Sequence, residues 1–162
     1  RLNYLLREQK GYTYGAWAQF NNERDFGVFS GASNVRGDAT VAALQDMLGV
    51  FASAGEGFDA QDVQKAHSQS FTDEVGAAAT RSALADAFAE RAGDGLRPDG
   101  WGKELELTMT ATASDMQALG KRFMSPESLT VVLAGDLDTL LPALDGADLT
   151  PFGDYTIVEP LP

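Results

Sequence analysis

The chain has 162 residues, 44% hydrophobic and 22% charged, which is enough for one domain with a buried core and too apolar for a disordered tail. Its net charge of −12 repels phosphate backbones and argues against nucleic acid as a partner. With no cysteine and a single histidine, His67, it excludes disulfide scaffolds, thiolate metal sites, cysteine nucleophiles and every two-histidine zinc motif. No apolar run approaches the ~18 residues that a membrane span needs.

Leu2, Leu5 and Leu6 recur at helical spacing and predict a helix over the first nine residues, ended by Gly11. The chain opens at Arg1 inside that pattern, so its start is expected to be cut. Residues 12–21 and 26–35 are β-rich and flank the polar turn 22–25, which predicts a long antiparallel hairpin. Tyr12, Tyr14, Ala16, Ala18 and Phe20 alternate on one face with Trp17 on the other; in the second run Phe29 and Val35 oppose Phe26 and Val28. Gly15, Gly31 and Ala32 mark places where another element packs close.

The period then turns helical. Asp38 or Thr40 is expected to cap a helix with Val41, Leu44, Leu48 and Phe51 in one stripe, broken at residues 54–57. Asp59 with Asp62 opens a second helix carrying Val63, Ala66, His67, Ser70 and Phe71 on one side. An alanine-rich helix is expected over 73–91, ended by Gly93-Asp94-Gly95. After the turn 96–101 comes a short amphipathic helix near 102–109. Thr112 and Asp115 form a capping box for a helix to about Met124, bounded by Pro126. Residues 129–134 read as a buried strand, Asp138 as the cap of a last helix to about Leu144, and 152–162 as an edge strand limited by its prolines.

This order predicts an α+β fold, an antiparallel sheet with helices packed on one face. The chain is expected to be a single domain, 1–162, lacking its first strand or strands. Within it, 1–37 form the helix end and hairpin, 38–126 a helical block, and 127–162 the last strand, short helix and tail. A hairpin plus one strand makes a thin sheet, which adds to the expectation that one or two strands lie upstream.

Little free-standing catalytic chemistry is present. His67, between Lys65, Ala66 and Ser68, is expected to be a helix-packing or solvent-touching histidine. Gly27–Gly31 resembles a nucleophile elbow only loosely, because Ser30 stands third after Gly27 and in a strand. The glycines at 11, 15, 31 and 37 form neither a Walker loop nor a dinucleotide fingerprint.

The informative stretch is Leu5-Leu6-Arg7-Glu8-Gln9-Lys10-Gly11-Tyr12-Thr13-Tyr14-Gly15. It resembles the helix-to-strand corner L-R-E-x-x-G-[LY]-x-Y of the pitrilysin/insulinase family of zinc peptidases, the inverzincins. The likeness continues in order through nearly the whole chain. It includes a glycine-rich second strand (26–40) and an acidic helix opening with Asp59, Asp62, Lys65 and Ala66. A Pro98-Asp99-Gly100-Trp101 turn follows, and the ending runs from Thr112 to Asp136.

In that family two homologous halves enclose a chamber. One half carries H-x-x-E-H and a distal glutamate that hold zinc, and the other has lost them but keeps an Arg and a Tyr seven residues apart at the corner. Arg7 and Tyr14 have this spacing, and a single histidine excludes the zinc half. The resemblance therefore implies the C-terminal, non-zinc half of a zinc metallopeptidase, inactive alone, with zinc bound by a partner half or subunit and a peptide as substrate. Arg7 would orient the substrate backbone and Tyr14 would help the oxyanion of the tetrahedral intermediate. Tyr12 stands where the family usually has an aliphatic residue, and it is a second candidate for facing the chamber; the assignment would then shift by two residues. Bacterial relatives are commonly exported, the compartment the resemblance favours. A second reading keeps the fold and drops the catalysis, leaving a structural or scaffold subunit; a third makes the chain a stand-alone binding module. An H-x-x-E-H domain in the same reading frame or in a co-purifying chain would separate them.

Overall fold

The computed structural model describes residues 1–22, 24–153 and 155–158. Tyr4–Gln9 winds as a π-helix, in which the Lys10 N–H reaches back to the Leu5 carbonyl at 3.0 Å. Gly11, at φ +62°, turns the chain out of it in the left-handed region that only glycine enters freely. The hairpin follows as β1 (Thr13–Asn22) and β2 (Gly27–Val35), antiparallel, with Ala18 opposite Gly31 and Phe20 opposite Phe29. A 3₁₀ turn at Gly37–Ala39 leads into α1 (Thr40–Ser53). Then come α2 (Ala60–Ala77), α3 (Arg81–Gly93), α4 (Trp101–Thr110), α5 (Ala113–Phe123) and α6 (Leu137–Asp145). The fold is α+β.

The core lies where the opening helix, the hairpin and α1 meet. Leu2, Leu6, Ala16, Ala43 and Phe51 are buried there, with Tyr12, Phe29, Val35 and Met47 packed against them. An aromatic chain ties sheet to helices: Phe20 lies 5.0 Å from Phe29 and 6.1 Å from Phe123, and Phe29 lies 5.1 Å from Phe51 (ring centroids). Gly31 is a close-approach glycine as expected, since a Cβ there would sit 2.8 Å from the Phe51 ring edge. Farther out, α3 and α4 are clamped by Arg91, which grips Glu104 at 2.8 and 2.9 Å and lies over the Trp101 ring.

Several boundaries differ from the sequence expectation. The helix starting at Asp59 does not stop near residue 72; it runs to Ala77, and α3 starts separately on a Thr80 cap that accepts from the Ala83 N–H at 3.1 Å. Neither Asp38 nor Thr40 caps α1: its N-cap is Ala39, which is buried, so packing sets this start. The N-cap of α6 is Asp136, with Asp138 inside the first turn. Residues 129–134 are not in a ladder among the described residues, and neither are 152–153 and 155–158. The rest of the expected tail strand, Asp154 and 159–162, lies outside the described residues.

The two capping boxes stand where the sequence put them. On α5, Thr112 Oγ1 accepts from the Asp115 N–H at 3.3 Å, while the Asp115 carboxylate accepts from the Thr112 hydroxyl at 2.6 Å and its N–H at 2.9 Å. Thr112→Ala is expected to lower unfolding free energy by about 1 kcal/mol in urea denaturation. The Thr112 hydroxyl, and then its N–H, hold the Asp115 carboxyl below its ordinary value of 3.8. A carboxyl whose folded pKa is depressed stabilises the fold fully above that ordinary value and progressively less as pH falls through the lowered one. The stability gap between wild type and Thr112→Ala is therefore expected to narrow in melts taken below pH 3.8.

Candidate functional site

The corner between the opening helix and β1 is built from two departures from regular backbone. The first is the π-helix itself, six residues with Arg7 inside it. Its inner face is pinned by Leu6, which is 0% exposed. Arg7 faces outward: its side chain is 56% exposed, and its ion pair is a 3.4 Å contact with the adjacent, equally exposed Glu8. Such a pair is weak and leaves the guanidinium free to take another acceptor.

The second departure is a bulge in β1. Thr13 pairs with Val35 and Ala16 with Ser33, so Tyr14 and Gly15 occupy the space of one β2 residue. Side chains hold it open. Thr13 Oγ1 donates to the Asn34 carbonyl at 2.6 Å and accepts from the Gly15 N–H at 3.0 Å. Ser33 Oγ donates to the Gly15 carbonyl at 3.1 Å. The Ala16 N–H donates to Asn3 Oδ1 at 2.7 Å, which ties the bulge directly to the start of the helix that carries Arg7.

The result for the tyrosines is a clear division. Tyr12 is half-buried and packs against the core, with its backbone N–H donating to the Leu6 carbonyl at 2.9 Å. Tyr14 is 99% exposed, and its phenol makes no hydrogen bond among the described residues. The corner thus offers solvent one permanent guanidinium and one directional phenolic donor, joined through Gly11 and Asn3. Both are donors suited to a carbonyl oxygen or a developing oxyanion. Asn3 and Thr13 are the residues that sequence reading missed. Their signal, short polar side chains flanking the corner, is common in loops and says nothing of the partners they find.

His67 is half-buried within α2, with Nε2 enclosed and unpartnered among the described residues. No group of three or more His, Asp or Glu side chains among the described residues is arranged to hold a metal ion. No described helix is long and apolar enough to cross a membrane. No family model matches this chain, and neither a curated protein nor a solved structure does.

Proposed function

We propose that this chain is the non-zinc half of a two-half zinc metallopeptidase of the pitrilysin/insulinase type, contributing donors for peptide hydrolysis in a chamber formed with a zinc-bearing half or subunit. The observation that carries the reading is a coincidence of backbone and side chain. The π-helix and the bulge fall on Arg7 and Tyr14, the two residues that the corner motif marks. Both kinds of irregularity are over-represented at functional sites, where they re-aim a side chain at a cost in regular hydrogen bonding. A purely structural corner has no need to hold a tyrosine 99% in solvent.

Among the described residues no group of side chains is arranged to hold a metal ion, and in this reading zinc belongs to the other half. What Arg7 supplies is a fork of N–H donors that fixes the substrate backbone. What Tyr14 supplies is an O–H aimed at the oxygen that becomes negative when a peptide carbonyl turns tetrahedral. Of the two tyrosines, Tyr14 suits the role, because Tyr12 is engaged by the core.

The test is cleavage of a reporter peptide by the chain joined to, or mixed with, its zinc-bearing half. Tyr14→Phe and Arg7→Ala are each expected to lose at least tenfold in kcat/KM, about 1.4 kcal/mol of transition-state stabilisation. Both positions are exposed, so their melting curves are expected to overlay wild type. Losses below tenfold for both variants would overturn the catalytic role and leave the scaffold reading.

A further inference from the structure

A groove of about 640 Å³ opens beside the sheet, on the side of β2 away from β1. One wall is residues 28–33 of β2 and the other is residues 128–133. Each wall contributes consecutive residues. A strand that presents a face contributes every second residue, so both walls meet the groove edge-on, with backbone rather than with one row of side chains. The floor is different: Ala43, Leu44, Met47, Leu48 and Phe51 of α1 recur at three and four, the spacing of one helical face.

The second wall has the character of a strand without a neighbour. Burial alternates along it, with Leu129, Val131 and Leu133 half-buried and Thr130, Val132 and Ala134 exposed. Val132 is 84% exposed. Among the described residues the N–H and C=O groups of 130–134 make no backbone hydrogen bond, and β2 pairs only with β1. The groove therefore lies between two rows of partial charges, N–H positive and C=O negative, over an apolar floor. Among the described residues no charged side chain lines it, on a chain whose net charge is −12.

We infer that this groove seats an extended polypeptide strand from outside residues 1–162, uncharged over about six residues and apolar at every second one, which pairs with β2 and with 129–134 and closes them into one sheet. A strand complements the site in each respect. Its two edges carry the alternating N–H and C=O groups that the walls lack partners for, and alternate side chains fall on α1. Six residues span roughly 20 Å, the length of the facing walls. A helix would satisfy its own backbone and leave both walls unpaired, and an acidic segment would be repelled by the rest of the chain. The inference holds whether or not Arg7 and Tyr14 serve hydrolysis, since neither residue lines the groove.

The experiment titrates the chain with a ten-residue peptide of alternating valine and threonine with a lysine at each end, by calorimetry and amide hydrogen exchange. Binding is expected, with slowed exchange at 28–33 and 130–133. A peptide N-methylated at alternate amides, which removes donors without altering the protein, is expected to bind at least about tenfold more weakly. Thr130→Pro, at an exposed position preceded by the extended Leu129, removes one wall donor and is expected to weaken the unmethylated peptide similarly. No binding at millimolar peptide, or equal binding of the two peptides, would overturn the inference. So would self-association of the chain that protects the same amides without any peptide, because the occupant would then be a second copy.

Discussion

Leu6→Ala is expected to cost about 2–5 kcal/mol of unfolding free energy, read as a fall in the urea midpoint with an unchanged slope. Leu6 is the one large side chain that is fully buried among the described residues. It sits where Leu2, Ala16, Ala43 and Phe51 converge, so truncation opens a space that three separate elements line. Four of the nine buried hydrophobic residues are alanines, which cannot swing in to fill it. Leu6→Met, which keeps the volume, is expected to cost less than about 1.5 kcal/mol. The position also bears on the candidate site. Leu6 anchors the π-helix from beneath while Arg7, next in sequence, points outward. If Arg7 orients substrate as proposed, loss of the anchor is expected to impair cleavage at temperatures where the variant is still folded. If Leu6→Ala unfolds at the wild-type midpoint, the core is not centred on this corner.

What could be read in the sequence was whatever short-range chemistry decides. Asp59 with Asp62, and Thr112 with Asp115, were legible as capping boxes because donor and acceptor are three residues apart and need no tertiary help. Gly11 and Gly95 were legible as terminators for the same reason, and both take positive φ. The α2–α3 boundary was not, because alanines carry the helical pattern through residues 77–79 and only the Thr80 side chain marks the restart. Residues 129–134 show the converse. Their composition reads as a buried strand, but Thr130, Val132 and Ala134 are exposed and no ladder forms among the described residues, because a ladder needs a second edge that no local pattern can supply. At the site, the corner motif located Arg7 and Tyr14, while simple alternation put Tyr14 on the same face as Tyr12 and Ala16. The bulge breaks that alternation, and it is held by Asn3, Thr13 and Ser33 through contacts that span up to 21 residues. Sequence located the residues; long-range hydrogen bonds decided which tyrosine meets solvent.

Gly120→Ala is expected to destabilise the chain by up to about 2 kcal/mol, against the usual direction of a glycine-to-alanine change in a helix. Helix propensity alone favours alanine by about 1 kcal/mol in an interior position such as this one in α5. The opposing term is steric. A Cβ at Gly120 would lie 2.5 Å from the Ala54 carbonyl oxygen, 2.6 Å from its carbon and 3.0 Å from its Cβ. Two of these three atoms are backbone, so no rotamer change relieves the overlap. Either α5 lifts off the end of α1 or the turn after α1 shifts, and overpacking of this kind costs roughly 1–3 kcal/mol or more before relaxation. Lifting α5 would also strain the 2.8 Å bond from Gln117 Nε2 to the Phe58 carbonyl and the Phe20–Phe123 ring contact. Gly49→Ala is the matched control: it lies in the interior of α1 with nothing within 4 Å of its Cβ position. There the propensity term acts alone, and the variant is expected to gain about 0.5–1 kcal/mol. Paired urea melts thus separate the two terms by sign. A Gly120→Ala midpoint at or above wild type, beside the expected gain at Gly49, would mean that α5 does not cross α1 at backbone contact.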